Sequence, residues 1–428
     1  MNEYRKRVAD EVLKDNLEAA GLVLIEGTKW CGKTTTAEQQ AGSIVYMNDP
    51  EHSESYHALV QNAPKILLRG DTPRLVDEWQ EAPELWDTAR FEVDHREVKT
   101  GQFIFTGSTV IPREKLEKIK HSGTGRAAWV RMRTMSLWES GESNGQLSLG
   151  NLFLGKTEDA YIANALDIEQ LAWLICRGGW PATLYMTHNG ALRQSFNYID
   201  AIVSKDISNV DGVRRDRDFA MRLLRSYARF QGAQAPLSSI YDDLKSNAEG
   251  TMTEETIASY ISALKNLFVI EDSPAWNPNL RSKTAIRTSD TRYFVDPSIS
   301  TAAMGVGPED LLSDLNTMGL LFETLCVRDL RVYAEAIDGK VYHYRDKNNL
   351  ECDAVIHLRN GKYGLVEIKL GGEKLIEEGV ATLTTLASKI DVNKMSSPSF
   401  LMVLTGTGSY AYKRKDGVWV APIGCLKP

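Results

Sequence analysis

Gly27-Thr28-Lys29-Trp30-Cys31-Gly32-Lys33-Thr34 sets two glycines five apart and follows them with a lysine and a threonine. Glycines at that spacing let backbone N–H groups turn inward around phosphate oxygens, and a helix start behind them favours anions. Lys33 is the candidate for the outer phosphates, and the Thr34 hydroxyl for Mg²⁺. The loop as a whole, Gly27 to Thr35, is the candidate nucleotide contact. Downstream, Asp77-Glu78 closes a short apolar run. An acid pair there suits Mg²⁺-dependent hydrolysis: Asp77 holds the metal through its water shell, and Glu78 orients or deprotonates the attacking water. Thr106 and Ser108 are small polar groups at another run's end, fit to contact the γ-phosphate or that water, with Ser108 preferred. Arg126, after the flexible Ser122-Gly123-Thr124-Gly125, is a candidate for transition-state charge, in its own subunit or a neighbour's.

These residues need strands ending at one edge. Gly21-Leu22-Val23-Leu24-Ile25 reads as a buried parallel strand, and Thr35 to Gln40 as the start of a helix. Ser43–Met47, Pro73–Glu78 and Phe103–Phe105 are further strands, and residues 2–17 an amphipathic lead-in helix. Strands alternating with helices predict a parallel sheet with helices on both faces and the nucleotide at its carboxyl edge. No Asn-Lys-x-Asp segment is present to read guanine, so ATP is preferred over GTP, with ADP as product.

Glu26-Gly27 through Thr36, Leu75-Val76-Asp77-Glu78-Trp79-Gln80, Thr106-Gly107-Ser108 and Gly125-Arg126 together resemble the AAA-type ATPases of bacteria and archaea that carry a C-terminal domain of unknown function. The resemblance continues through Arg177-Gly178-Gly179-Trp180-Pro181 and Ser282-Lys283-Thr284 to Gly319–Glu323. It implies an ATPase core followed by winged-helix and nuclease-like parts, and it supplies no substrate.

In the middle of the chain, Gly178-Gly179-Trp180-Pro181 breaks a helix, and residues 191–210 read as another. Asp218–Phe230, Leu237–Leu244 and Thr253–Leu267, the last with Thr253 as N-cap, precede a strand at Phe268–Glu271. Three helices and a strand suggest a winged helix. Its would-be recognition helix carries Glu254, Glu255 and Lys265, so it is poor in the cations that phosphate neutralisation needs. Arg281, Lys283, Arg287 and Arg292 form a cleaner basic stretch and make DNA a candidate partner.

Towards the C-terminus, a helix opens at Gly319–Glu323, followed by a strand Val341–Arg345 and a hairpin of Glu351–Leu358 with Tyr363–Lys369. Glu323, Asp353, Glu367 and Lys369 resemble the PD-(D/E)XK nuclease pattern. That resemblance implies a second Mg²⁺ or Mn²⁺ on Asp353 and Glu367, Lys369 at the water and Glu323 assisting from the helix. Glu367 and Lys369 share a strand face because they are two apart. Asp353 joins that face only if it pairs with residue 367. A two-residue Asn360-Gly361 turn sets it opposite Ile368, whereas a three-residue loop with Gly361 left-handed sets it opposite Glu367. The expectation is the three-residue loop or a bulge.

The fold class expected is therefore α/β: a phosphate-loop parallel sheet over 1–150, a helical and winged-helix domain over 151–290, and a nuclease-like domain over 291–428. Net charge is −7 with pI near 5.7, so any nucleic-acid contact must be local. The five cysteines are scattered without a CxxC pair, which excludes a disulfide frame and fits a reducing cytoplasm. No leader-like apolar core and no run near the roughly 18 residues of a membrane span are visible, so no membrane partner is expected.

Overall fold

Five strands build the first sheet: β1 (Leu22–Glu26), β2 (Ser43–Tyr46), β3 (Arg74–Asp77), β4 (Phe103–Gly107) and β5 (Ala127–Arg131). The computed structural model describes residues 3–110, 119–157, 161–246, 253–281, 283 and 286–428; Asn2, Ser282 and Thr284, named above, lie outside them. The strands lie in the order β2-β3-β4-β1-β5, every pairing parallel. Leu22 to Ile25 are all buried, as an unbroken apolar strand must be when both sheet faces are covered. The helix Val8–Ala19 packs Leu13 and Leu17 with Val23, Ile25 and Leu75 on one face; Trp79, Trp86 and Phe105 fill the other. Because all five strands run one way, the ends of β1, β3 and β4 meet at one edge.

The second unit is helical. Arg217–Arg229, Leu237–Lys245 and Glu254–Asn266 pack together with Pro297–Met304 around Leu224, Tyr227, Ile240, Ile257 and Leu264. Thr253 caps its helix, accepting from the Thr256 N–H at 3.3 Å. The strand expected at Phe268–Glu271 is reduced to two antiparallel bridges, Ile270–Phe294 and Ser273–Thr291.

A seven-stranded sheet forms the third unit, in the order β7-β12-β13-β11-β10-β9-β8. Its strands are β7 (Ile162–Ala163), β8 (Gly339–Arg345), β9 (Glu351–Leu358), β10 (Tyr363–Lys369), β11 (Leu401–Thr405), β12 (Tyr410–Lys413) and β13 (Trp419–Pro422). The helix Leu315–Glu335 covers one face and Glu373–Lys389 the other. β6 (Leu147–Ser148) pairs in parallel with β14 (Leu426–Lys427). Packing thus crosses both expected boundaries. Leu147, Leu149, Leu152, Phe153, Leu171 and Ile175 share a core with residues between Met318 and Leu426, and the helix Pro297–Met304 sits in the core of the helical unit. Two-residue strands such as β6 and β7 carry no readable period, so the sequence pattern could not assign them.

Candidate functional site

The loop after β1 turns at Gly32, whose φ of +99° lies in the left-handed region, and enters the helix Lys33–Glu38. Gly27 accepts no side chain, since a Cβ there would run into the Met132 carbonyl. Cys31 is buried and directs its thiol at the same carbonyl. Lys33 is buried and donates to the Thr28 carbonyl at 2.9 Å, so its ammonium lies across the loop. The Thr34 hydroxyl donates to Asp77 Oδ1 at 2.7 Å, and the Thr106 hydroxyl donates to the same oxygen. Burial raises the Asp77 carboxyl above its ordinary pKa, with the two hydroxyls pulling in the opposite direction.

Glu78 follows with a left-handed backbone, φ +54°, its N–H donating to the Thr106 hydroxyl at 3.3 Å. That turn aims its carboxylate at Ser108, whose hydroxyl donates to Oε2 at 3.0 Å; the Gln80 amide donates to the same oxygen. The expected residues from three strand ends thus converge: Lys33 and Thr34 from the loop, Asp77 and Glu78 after β3, Thr106 and Ser108 after β4. Thr34 and Asp77 offer hard oxygen donors side by side, a donor set that fits Mg²⁺.

The helical unit leans over this edge. Thr28 Oγ1 is hydrogen-bonded to the Tyr198 hydroxyl, and Lys29 Nζ lies 2.7 Å from Asp206 Oδ1. Trp30 is exposed, with φ +69°. A cavity of about 200 Å³ beside Gly32 and Thr35 is lined by Tyr4, Arg7, Pro181 and Tyr185. Of these residues, Pro181 carried a sequence signal as punctuation; Tyr4, Tyr198 and Asp206 carried none.

Arg126 stands apart. It precedes β5 at the amino end of the sheet, about 15 Å along the strand from the loop edge. Its guanidinium pairs with Asp94 at 2.9 Å. This side chain does not reach its own chain's loop.

In the third unit the β9–β10 register pairs Tyr363 with His357 and Val366 with Ala354, which sets Asp353 opposite Glu367. The connection is the three-residue loop, closed by the Leu358 N–H on the Lys362 carbonyl at 2.8 Å, with Gly361 at φ +85°. Lys369 Nζ sits 2.7 Å from Glu367 Oε2 and 3.3 Å from Asp353 Oδ2. Glu323 accepts from the Tyr293 hydroxyl, and Gly232 leaves room for its carboxylate. Burial, then the neighbouring Asp353, raises the Glu323 carboxyl well above its usual range. The same two causes push Glu367 up to about 8. Burial works against the charge of Lys369, yet Asp353 and Glu367 outweigh it and raise its pKa. Glu323, Asp353, Glu367 and Lys369 are thus brought together with an ammonium between carboxylates. Among the described residues, no three His, Cys, Asp or Glu side chains are grouped so as to hold a metal ion.

Of the basic stretch, Arg281 and Lys283 are exposed, but Arg292 is turned inward onto Asp272 at 2.8 Å. Lys265 is engaged by the same carboxylate at 2.7 Å. All five cysteines are free and buried, and among the described residues no helix is long and apolar enough to cross a membrane.

Residues 20–140 match the family model described as an AAA domain. Residues 168–310 and 318–426 match two families described as domains of unknown function, DUF8612 and DUF4143. Among curated proteins none matches the chain. Solved structures similar to it include a Walker-type ATPase of Pyrococcus abyssi, at 14% identity and TM-score 0.41, covering 69% of this chain and 94% of that one. Another is a RuvB variant of Thermotoga maritima, at 14% identity and TM-score 0.24, covering 62% of this chain and 88% of that one.

Proposed function

We propose that the chain is a Mg²⁺-dependent ATPase whose nucleotide state rearranges its helical and C-terminal units. The observation that carries this is the meeting of Thr34 with Asp77 at 2.7 Å and of Ser108 with Glu78 at 3.0 Å, above a buried Lys33. The loop from Gly27 to Thr35 wraps the phosphate chain, and Lys33 exchanges the Thr28 carbonyl for phosphate oxygens. Thr34 and Asp77 would hold Mg²⁺, which would supply charge neutralisation for the phosphates. Glu78 accepts a proton from the attacking water, while Ser108 and Gln80 fix the carboxylate that does so. The cavity at Tyr4, Arg7, Pro181 and Tyr185 takes the adenosine end. Arg126 acts, in this reading, on the site of a neighbouring copy, which makes the working form an oligomer.

The three helices with their antiparallel bridges read as a winged helix. The helix Leu315–Glu335, β8–β10, the helix Glu373–Lys389 and β11 read as a nuclease-like αβββαβ core, with DNA as the partner. One observation favours a second reading, in which that core is an inactive scaffold for a nucleotide-switched binding protein. Lys369 occupies the space between Asp353 and Glu367.

The experiment is Mg²⁺-dependent ATP hydrolysis with and without DNA, comparing wild type, Glu78→Gln and Asp353→Ala. The ATPase reading expects Glu78→Gln to bind ATP and to lose about 10²-fold or more in turnover. DNA-stimulated turnover together with metal-dependent nicking that Asp353→Ala removes supports an active nuclease. Turnover without nicking supports the scaffold. A wild type that binds ATP and never hydrolyses it defeats the ATPase reading.

A further inference from the structure

Lys33 is committed to the loop interior, but the loop has a second lysine, and that one is already occupied. Lys29 Nζ lies 2.7 Å from Asp206 Oδ1, the carboxylate side chain 14% exposed and the lysine 43%. Asp206 ends a π-helical turn, Ile202–Asp206, that continues the helix His188–Ala201. Such turns are irregularities that recur at functional positions. Two turns earlier on the same helix, Tyr198 is held by Thr28. The helical unit therefore grips two consecutive loop residues.

A second cavity, of about 310 Å³, opens beyond them. Lys29, Asp206, Glu78, Gln80, Glu81 and Ser108 line it. With Glu78 marking the attacking water and Thr34–Asp77 the metal, this cavity is where a third phosphate would stand. Among the described residues three carboxylates, Glu78, Glu81 and Asp206, line it with one cation, Lys29. On that placement a diphosphate ends before this cavity. A triphosphate must enter it, draw Lys29 away from Asp206 and then face an unpaired carboxylate.

We infer that Asp206 determines the site's discrimination between nucleoside di- and triphosphate, competing with the γ-phosphate for Lys29. The inference rests on the nucleotide-binding reading above. Loss of the ion pair then releases the helix at Asp206 while Tyr198 still holds Thr28, so the presence of the third phosphate is passed to the helical unit through one side chain. Coupling between two sites typically changes affinity about 5- to 150-fold.

The test is calorimetric titration of ADP and of β,γ-imido-ATP, each with Mg²⁺, into wild type, Asp206→Asn and Lys29→Met. Asparagine keeps the shape and removes the charge. The expected result is that Asp206→Asn binds the triphosphate analogue about tenfold more tightly, with ADP affinity unchanged within about twofold. Lys29→Met weakens the analogue by a larger factor than ADP. Circular dichroism and a thermal melt matching wild type certify that each variant is folded. If Asp206→Asn leaves the analogue's affinity unchanged, or shifts both nucleotides equally, Asp206 is a structural contact and the inference fails. If wild type binds neither nucleotide, the underlying reading falls and takes this one with it.

Discussion

At the scale of single residues, Thr106 does more than the sequence pattern asked of it. Ser108, at the end of β4, meets Glu78 at 3.0 Å. Thr106, however, touches both acids: its hydroxyl donates to Asp77 Oδ1 and accepts from the Glu78 N–H at 3.3 Å. One hydroxyl thereby ties the Asp77 carboxylate to the left-handed turn that carries Glu78. A strand-end motif of Thr-Gly-Ser shows that two hydroxyls are available, but not which one faces the neighbouring strand's tip; the β3–β4 register decides that. Thr106→Val keeps the branched shape needed in a buried strand and deletes both hydrogen bonds. It is expected to lower ATP turnover about 10- to 100-fold, as loss of a support that positions a base does. ATP affinity should stay within about threefold, because Lys33 and the loop are untouched. Steady-state kinetics with a separate binding titration checks this, and a fall in affinity matching the fall in turnover would assign Thr106 to binding instead.

At the scale of elements, the C-terminal hairpin was legible because parity is strict. Asp353, Glu367 and Lys369 can share a face in one register, and Asn360-Gly361 leaves few loop types to choose from. Gly361 pays out as expected, with φ +85° and open space around its Cα. An added methyl there meets backbone strain but no neighbouring atom. Gly361→Ala should therefore destabilise the fold by about 1 kcal/mol, and Gly361→Asn by less, since asparagine tolerates the left-handed region. Chemical denaturation of the three proteins side by side gives the order, and equal midpoints would contradict the register argument. The helices of the middle unit were legible for a different reason, an apolar stripe at helical period with a threonine cap. What could not be read was partnership over distance. Lys29 and Asp206 stand 177 residues apart. β6 and β7 are two residues long, too short for alternation to show, and both complete sheets begun at the other end of the chain.

At the scale of the whole molecule, the three units are joined by buried charge as well as by apolar packing. Arg328, on the long C-terminal helix, is shared by Asp296 at 3.1 Å and Asp329 at 2.7 Å. Asp296 also accepts from the Thr134 hydroxyl at 2.7 Å and the Gly179 N–H at 2.9 Å, and Asp329 from the Leu137 N–H at 2.9 Å. Segments following β5, the Gly178-Gly179 break, the helical unit and the C-terminal unit therefore meet at one guanidinium. Two carboxylates for one cation leave an excess negative charge in the interior, and the two acids divide the consequences. Burial raises Asp296, but Arg328 and its hydrogen bonds outweigh that and hold it below its ordinary value. Burial pushes Asp329 up to about 6 in spite of Arg328. A carboxyl raised in the folded state keeps its proton to higher pH than in the unfolded chain, so it contributes stability that is complete below the unfolded value of 3.8 and is lost as pH rises through about 6. Asp329→Asn has no such proton to lose, and its amide oxygen can still accept from Leu137. The melting temperature of wild type minus that of Asp329→Asn should therefore fall between pH 4 and pH 7 and level off above, whatever its sign at neutrality. Thermal melts of both proteins across that range test it. A difference that stays constant with pH would mean that Asp329 is ionised throughout, and that Arg328 carries both carboxylates as a full charge triad.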